Sequence, residues 1–197
     1  MDTLALQNHA QVFAEHISTF RETSKCKCSE RIPFRSEVSY CLDEECSWPA
    51  VNFDDVQKTW YDNIWKTSGH LPCSVDALCL ARNMVYVVEF KSGTNVDGVA
   101  LFRKVYDTIM GLIEHDGQSY DSCRQRLVYV IVAPQTPSHR TVTRSAYYKE
   151  KPWEDKFLQK ILDRWHLNNL TGVLVNDVIV LPPDLFSRFV KYNALAE

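Results

Sequence analysis

The stretch Pro72-Cys73-Ser74-Val75-Asp76-Ala77-Leu78-Cys79-Leu80-Ala81-Arg82-Asn83-Met84-Val85-Tyr86-Val87-Val88-Glu89-Phe90-Lys91-Ser92-Gly93 reads as two β-strands joined by a tight turn. Val75 to Leu80 and Met84 to Lys91 are apolar and rich in Val, Tyr and Phe, as strands are. Arg82-Asn83 between them is the turn. Side chains alternate along a strand, so Glu89 and Lys91 share one face while Tyr86, Val88 and Phe90 take the other. Folding the hairpin about residue 82.5 sets Asp76 opposite Glu89, because paired numbers then sum to 165. Two carboxylates in that register are cross-strand neighbours with Cβ atoms about 5 Å apart.

Outward from the hairpin, the hydrophobic period changes to that of helices. Val99 to Glu114 follows a loop at Gly93 to Gly98, and Val99, Phe102, Tyr106, Ile109 and Ile113 form its apolar stripe. Leu127 to Ala133 is a continuous apolar run, predicted as a central strand buried on both faces. Upstream, Asp54 and Asp55 open a helix with Val56, Trp60, Ile64 and Trp65 on one side, and Ser68-Gly69 ends it. Met1 to Phe20 reads as an amphipathic helix through Val12, Phe13, His16, Ile17 and Phe20, followed by a polar, Cys-rich stretch from Lys25 to Trp48. Downstream, Pro152 to His166 is a helix with Phe157, Leu158, Ile161, Leu162 and Trp165 inward. Gly172 to Val175 and Val178 to Leu181 flank Asn176-Asp177 as a hairpin, and Leu185 to Tyr192 is a last short helix. The order is that of a mixed α/β domain with helices packed on a sheet.

Composition narrows the function classes. The chain has 197 residues with 45% apolar and 24% charged side chains, which suits one soluble domain. The net charge of −3 excludes a uniformly basic nucleic-acid coat and leaves room for a local basic groove. Residues 1–75 carry 7 basic and 11 acidic groups, residues 76–155 carry 10 of each, and residues 156–197 carry 5 and 4. A polyanion is therefore expected to avoid the N-terminal third. Seven cysteines, an odd number, with no signal-peptide pattern, point to a reduced intracellular protein, cytoplasmic or nuclear. No apolar run reaches the roughly 20 residues of a membrane span. There is no glycine-rich phosphate loop, no GxSxG and no HExxH, which argues against an NTPase, a serine hydrolase and a zincin.

Asp76, Glu89 and Lys91 carry the chemistry. Two close carboxylates repel, and one is held protonated unless a cation sits between them. A hard cation such as Mg²⁺ takes oxygen ligands and keeps several waters. A lysine next along the same face can orient a water or stabilise charge at phosphorus. These are the parts of a phosphodiester hydrolase.

The pattern Asp76, twelve residues, Glu89-Phe90-Lys91, on a hairpin followed by a helix and a core strand, resembles the PD-(D/E)XK nuclease superfamily. The resemblance covers roughly residues 54–134, within a single domain that adds an N-terminal helical and Cys-rich extension (1–50) and a C-terminal elaboration (135–197) carrying a hairpin. It implies a restriction-endonuclease-like mixed sheet flanked by helices, and a Mg²⁺- or Mn²⁺-dependent nuclease acting on DNA more readily than RNA. A homodimer, common among small nucleases, is implied by analogy alone. Asp76 and Glu89 match the metal ligands, the Phe90 backbone carbonyl a further metal contact, and Lys91 the catalytic lysine. Residue 75 is Val where the pattern has Pro. The strand expected between the first helix and Asp76 is either Gly69 to Cys73 or a segment before the helix. An additional N-terminal acid is sought among Glu37, Glu44, Glu45, Asp55 and Asp62, with Glu44 or Glu45 favoured. A basic residue from the following helix is Arg103 or Lys104.

Other features have plainer alternatives. Cys26, Cys28, Cys41 and Cys46 form CxC…CxxxxC, which can hold a structural Zn²⁺ but lacks two tight CxxC knuckles. Cys73, Cys79 and Cys123 read as small core hydrophobes. His115 and His139 are loop candidates for phosphate contact. Arg140, Arg144, Lys149 and Lys151, interleaved with Tyr147, Tyr148 and Trp153, form a stretch suited to phosphates and unpaired bases, or an ordinary solvated loop. The rival functional classes are an inactive binding module on the same fold and a zinc-stabilised protein–protein adaptor.

Overall fold

A computed structural model describes residues 10–25, 40–62, 66, 71–91, 96–134 and 156–193. Six strands form one open mixed sheet whose spatial order is the chain order: β1 (Ile17–Thr19), β2 (Pro49–Asn52), β3 (Ala77–Ala81), β4 (Met84–Phe90), β5 (Leu127–Val132) and β6 (Asp177–Leu181). The pairs β1–β2, β2–β3 and β3–β4 are antiparallel, while β4, β5 and β6 are mutually parallel.

Helices account for the direction changes. Short α1 (Ala10–Glu15) and α2 (Phe20–Thr23) flank β1, and α3 (Phe53–Trp60) follows β2 directly. The long α4 (Gly98–His115) and the short α5 (Tyr120–Arg126) cross from β4 to its parallel neighbour β5. Next, α6 (Lys156–Arg164) precedes β6, and α7 (Pro183–Tyr192) closes the described chain. A crossover of this kind is what parallel pairing requires. Among the described residues no helix is long and apolar enough to cross a membrane.

The hairpin register is the one the sequence predicts, with Ala77 opposite Val88 and Ala81 opposite Met84. Its turn places Arg82 and Asn83 at φ 48° and 66°. Positive φ at both central residues is the two-residue geometry that matches strand twist, and Asn tolerates it well. β5 is buried at every position, as its unbroken apolar run requires.

The two sheet faces are chemically distinct. Tyr86 and Phe90 meet Phe189 and Phe186 of α7 through edge-on ring contacts at 6.0 and 5.6 Å. Glu89, one position out of phase, turns to α4.

Several expectations are corrected. Residues 17–19 leave the predicted N-terminal helix and form edge strand β1, because their backbone groups find a ladder on β2. Of the two places read for a further strand, the one before the helix holds it, as Pro49–Asn52. No hairpin forms around Asn176-Asp177: residues 172–174 are a turn, and β6 pairs in parallel with central β5. A place beside β5 buries Val178, Val180 and Leu181, which a detached hairpin would leave wet.

The stripe assigned to α4 is also wrong by about a third of a turn. Leu101, Val105, Thr108, Ile109, Gly111 and Leu112 are inside, whereas Val99 is 77% exposed and Phe102, Tyr106 and Met110 are also exposed. Both flanks carry apolar residues at helical spacing, so periodicity alone does not say which one meets the sheet. Phe102 and Tyr106 stack on each other with centroids 6.2 Å apart.

Candidate functional site

The segment before β3 is held by side chains rather than by a second strand. Cys73 N–H donates to the Asp107 carboxylate at 2.8 Å, and Val75 N–H donates to the Thr108 hydroxyl at 3.2 Å, both acceptors lying on α4. The Ser74 hydroxyl donates to Asp54 in the first turn of α3. At Asp76 the backbone is fixed from two sides: its N–H donates to the Val88 carbonyl at 3.0 Å, and its own carbonyl accepts from Phe53 N–H at 3.2 Å. Asp76 thus enters from a bend just outside β3, while Glu89 and Lys91 enter from the end of β4 and beyond it.

The predicted pair does converge. Glu89, only 1% exposed, lies on the α4 side of the sheet. Lys104 of α4 reaches between the two acids, with Nζ 2.8 Å from both Glu89 oxygens and 3.5 Å from Asp76 Oδ1. Lys91 Nζ stands 2.7 Å from Glu89 Oε1. The Asp76 carboxylate also accepts the Phe90 N–H through Oδ2 at 2.7 Å. Tyr129 lies fully buried nearby, its hydroxyl donating to the Leu101 carbonyl at 3.3 Å and so tying α4 to β5.

Electrostatics follow from this crowding. Burial, then the neighbouring Glu89, pushes the Asp76 carboxyl up to about 7, against the pull of Lys104 and of the Phe90 amide. Burial alone would lower Lys104, but Asp76 and Glu89 outweigh it and hold the ammonium charged well above its ordinary range. Burial, then the same two carboxylates, raises the Tyr129 hydroxyl far above its usual value. Glu89 Oε1 has two ammonium groups close by, yet it is buried without a hydrogen bond of proper geometry. That atom is held by charge at contact distance rather than by a well-formed hydrogen bond.

In comparisons with protein-family models, curated proteins and solved structures, no match was found.

Asp76, Glu89 and Lys91 come together as expected, and Lys104 joins them. Of the two basic candidates on the following helix, Arg103 and Lys104, it is Lys104 that reaches the acids; the sequence left the two open because the α4 stripe was turned away from its true face. Asp54 is missed. Its charge acts on both Asp76 and Lys104, and the available signal was its place in the first turn of the helix, two residues after the strand end at Asn52.

The favoured N-terminal acids do not join. Glu44 is exposed and 3.8 Å from Arg21, and Glu45 lines a separate cleft with Asp184 and Lys191. Asp55 pairs with Lys58 at 2.6 Å and Asp62 with Lys66 at 2.5 Å, each along its own helical turn. Exposed acids next to sequence-local lysines have cheaper partners than a buried site.

Arg103 is exposed and 3.7 Å from Asp107. His115 is no loop residue: it closes α4, stacked on Trp60 with centroids 5.1 Å apart. Glu37, Cys26, Cys28, His139, Arg140, Arg144, Lys149 and Lys151 lie outside the described residues. Of the remaining cysteines in the zinc pattern, Cys41 is half-buried and Cys46 buried, the Cys46 thiol being pushed up to about 11 by burial, Asp43 and Glu45. Among the described residues no group of three or more His, Cys, Asp or Glu stands ready to hold a metal ion.

Proposed function

We propose that the protein is a divalent-metal-dependent nuclease of the PD-(D/E)XK type, with a restriction-endonuclease-like sheet. The observation that carries the reading is the convergence of Asp76, Glu89 and Lys91 with Lys104 at the ends of two adjacent strands. The succession α3–β3–β4–α4–α5–β5, with β2 ahead of it, supports the same reading.

The residues fit a hard cation. Glu89 Oε1 is a buried acceptor without a hydrogen bond, and Asp76 is under-compensated enough to rise to about 7. Asp76, Glu89 and the Phe90 carbonyl would hold Mg²⁺ or Mn²⁺, and Asp54 adds negative field. Such a cation supplies Lewis acidity, polarising a phosphoryl oxygen and acidifying water.

The chain's own groups do the rest. With all groups ionised, Asp54, Asp76 and Glu89 against Lys91 and Lys104 sum to one negative charge. A divalent ion turns this to one positive, and one phosphodiester returns it to zero. Lys91, the more exposed of the two lysines, faces the substrate and stabilises charge developing on phosphorus. Phe90 N–H keeps the Asp76 carboxylate aimed.

The test is cleavage of single- and double-stranded DNA and of RNA by purified protein with Mg²⁺ or Mn²⁺. Wild type should cut, whereas Asp76→Ala and Lys91→Ala should not while remaining folded. Cleavage retained by either variant would remove this mechanism.

A nucleic-acid-binding module that does not cut is the rival reading. It is favoured by the lack of a three-ligand acidic cluster among the described residues. Binding without cleavage, and without metal uptake, by wild type would select it.

A further inference from the structure

We infer that Lys104 is a built-in counter-cation that neutralises the Asp76–Glu89 pair in the metal-free protein and must withdraw from Glu89 before a divalent ion can use that carboxylate. This rests on the reading above that the two acids take a metal.

Glu89 is enclosed, so water cannot screen its charge, and a buried carboxylate needs a partner at all times. Lys104 meets that need from one side, within 2.8 Å of both oxygens, and Lys91 from the other, 2.7 Å from Oε1. No Glu89 oxygen is left beyond the reach of an ammonium. A metal ion therefore enters by exchange rather than by filling an open seat. At contact distance in a partly buried site, a fixed ammonium repels a dication strongly.

The geometry also makes withdrawal feasible. Lys104 is on a long flexible stem with its side chain partly exposed, and the charge of Asp54 on α3 already acts on its ammonium. An ammonium that leaves Glu89 keeps a counter-charge nearby. Lys91 is different in kind: it comes from the strand end beside Glu89, pairs with one oxygen and has no contact to Asp76 among those described. The device explains how two adjacent acids are kept folded in an enclosed site when metal is scarce.

The experiment is calorimetric titration of the full chain with Mn²⁺, comparing wild type, Lys104→Met and Lys91→Met, each checked for fold by near-UV circular dichroism. Lys104→Met should bind Mn²⁺ tighter by at least on the order of tenfold, because a competing charge at contact distance is gone. Lys91→Met should change affinity less. Binding by Lys104→Met alone, with none by wild type, supports the exchange in its strongest form. Equal or weaker binding by Lys104→Met, with wild type binding, overturns the exchange and leaves the metal reading standing. No binding by either protein overturns both.

A second measurement avoids the variant altogether. The ¹⁵Nζ resonance of Lys104 in wild type should shift or broaden when Mg²⁺ is added. A resonance that stays fixed while Mg²⁺ binds would overturn the exchange even if Lys104→Met fails to fold.

Discussion

The Phe90 amide donates to the Asp76 carboxylate at 2.7 Å, so a side chain takes over as acceptor where the β3–β4 ladder ends. That bond favours the ionised acid, yet burial and Glu89 overcome it and hold the carboxyl near 7, above the 3.8 of an exposed Asp. Between those values the native state binds the proton more tightly than the unfolded chain does. Stability should therefore fall as pH rises from about 4 to about 7. Lys104, shifted upward, acts at the other end: its contribution is complete below 10.5 and is lost only at higher pH. Urea midpoints at about pH 4.5 and about pH 8 should differ more for wild type than for Asp76→Asn. Equal differences would refute the assignment.

Removing Glu89 tests the ion pairs. Glu89→Ala leaves Lys91 and Lys104 without their shared acid, and breaking a buried pair from one side typically costs about 3–5 kcal/mol. Replacing Glu89 by Ala and Lys104 by Met together should recover part of that loss. A double variant as unstable as the sum of the single changes would show that the pair is not coupled.

The Thr108 hydroxyl holds the residue before Asp76. Thr108→Val keeps the shape and removes the acceptor of Val75 N–H, a buried orphan that costs about 1–3 kcal/mol. Thr108→Ser should restore most of the stability. If Mn²⁺ affinity also drops in Thr108→Val and returns in Thr108→Ser, the hydroxyl positions Asp76. Affinity that stays constant across the series would limit it to packing.

At the start of α4, a Cβ on Gly98 would run into the Trp165 carbonyl oxygen. Because both partners are backbone, neither can turn aside, and Gly98→Ala should destabilise by at least the roughly 1–3 kcal/mol of an overpacked core. Thermal melting resolves this. An unchanged midpoint would mean that α4 and the end of α6 are farther apart.

The two flanks of α4 give a direct test of its orientation. Val105→Asp buries an unpaired charge and should unfold the domain, whereas Val99→Asp on the exposed flank should stay within about 0.5 kcal/mol. The opposite ranking would restore the stripe read from sequence.

That stripe shows where sequence reading stops. The hairpin, its turn and its register were legible because alternation and two turn residues leave few alternatives, and Asp76, Glu89 and Lys91 followed from them. The central strand announced itself through an unbroken apolar run. The site's remaining members depended on tertiary choices that local patterns do not encode. Lys104 meets the acids only because Leu101 and Val105, rather than Val99 and Phe102, face the sheet. Asp54 approaches them only because Pro49–Asn52 joins β3 and carries the start of α3 with it. The supposed C-terminal hairpin failed for the same reason, since Asp177–Leu181 gained more beside β5 than beside its own neighbour in sequence.

The chain-order sheet has a consequence for biogenesis. Every strand pairs with the strand made just before it, so the sheet can extend in the direction of synthesis. Asp54, Asp76, Glu89, Lys91 and Lys104 all lie within residues 54–104, and the 78 residues between Lys104 and α7 take roughly 4–16 s to be made. Throughout that interval Tyr86 and Phe90 have no α7 to cover them. Until α7 is made, the face of β4 that carries Tyr86 and Phe90 is a sticky aromatic surface open to water.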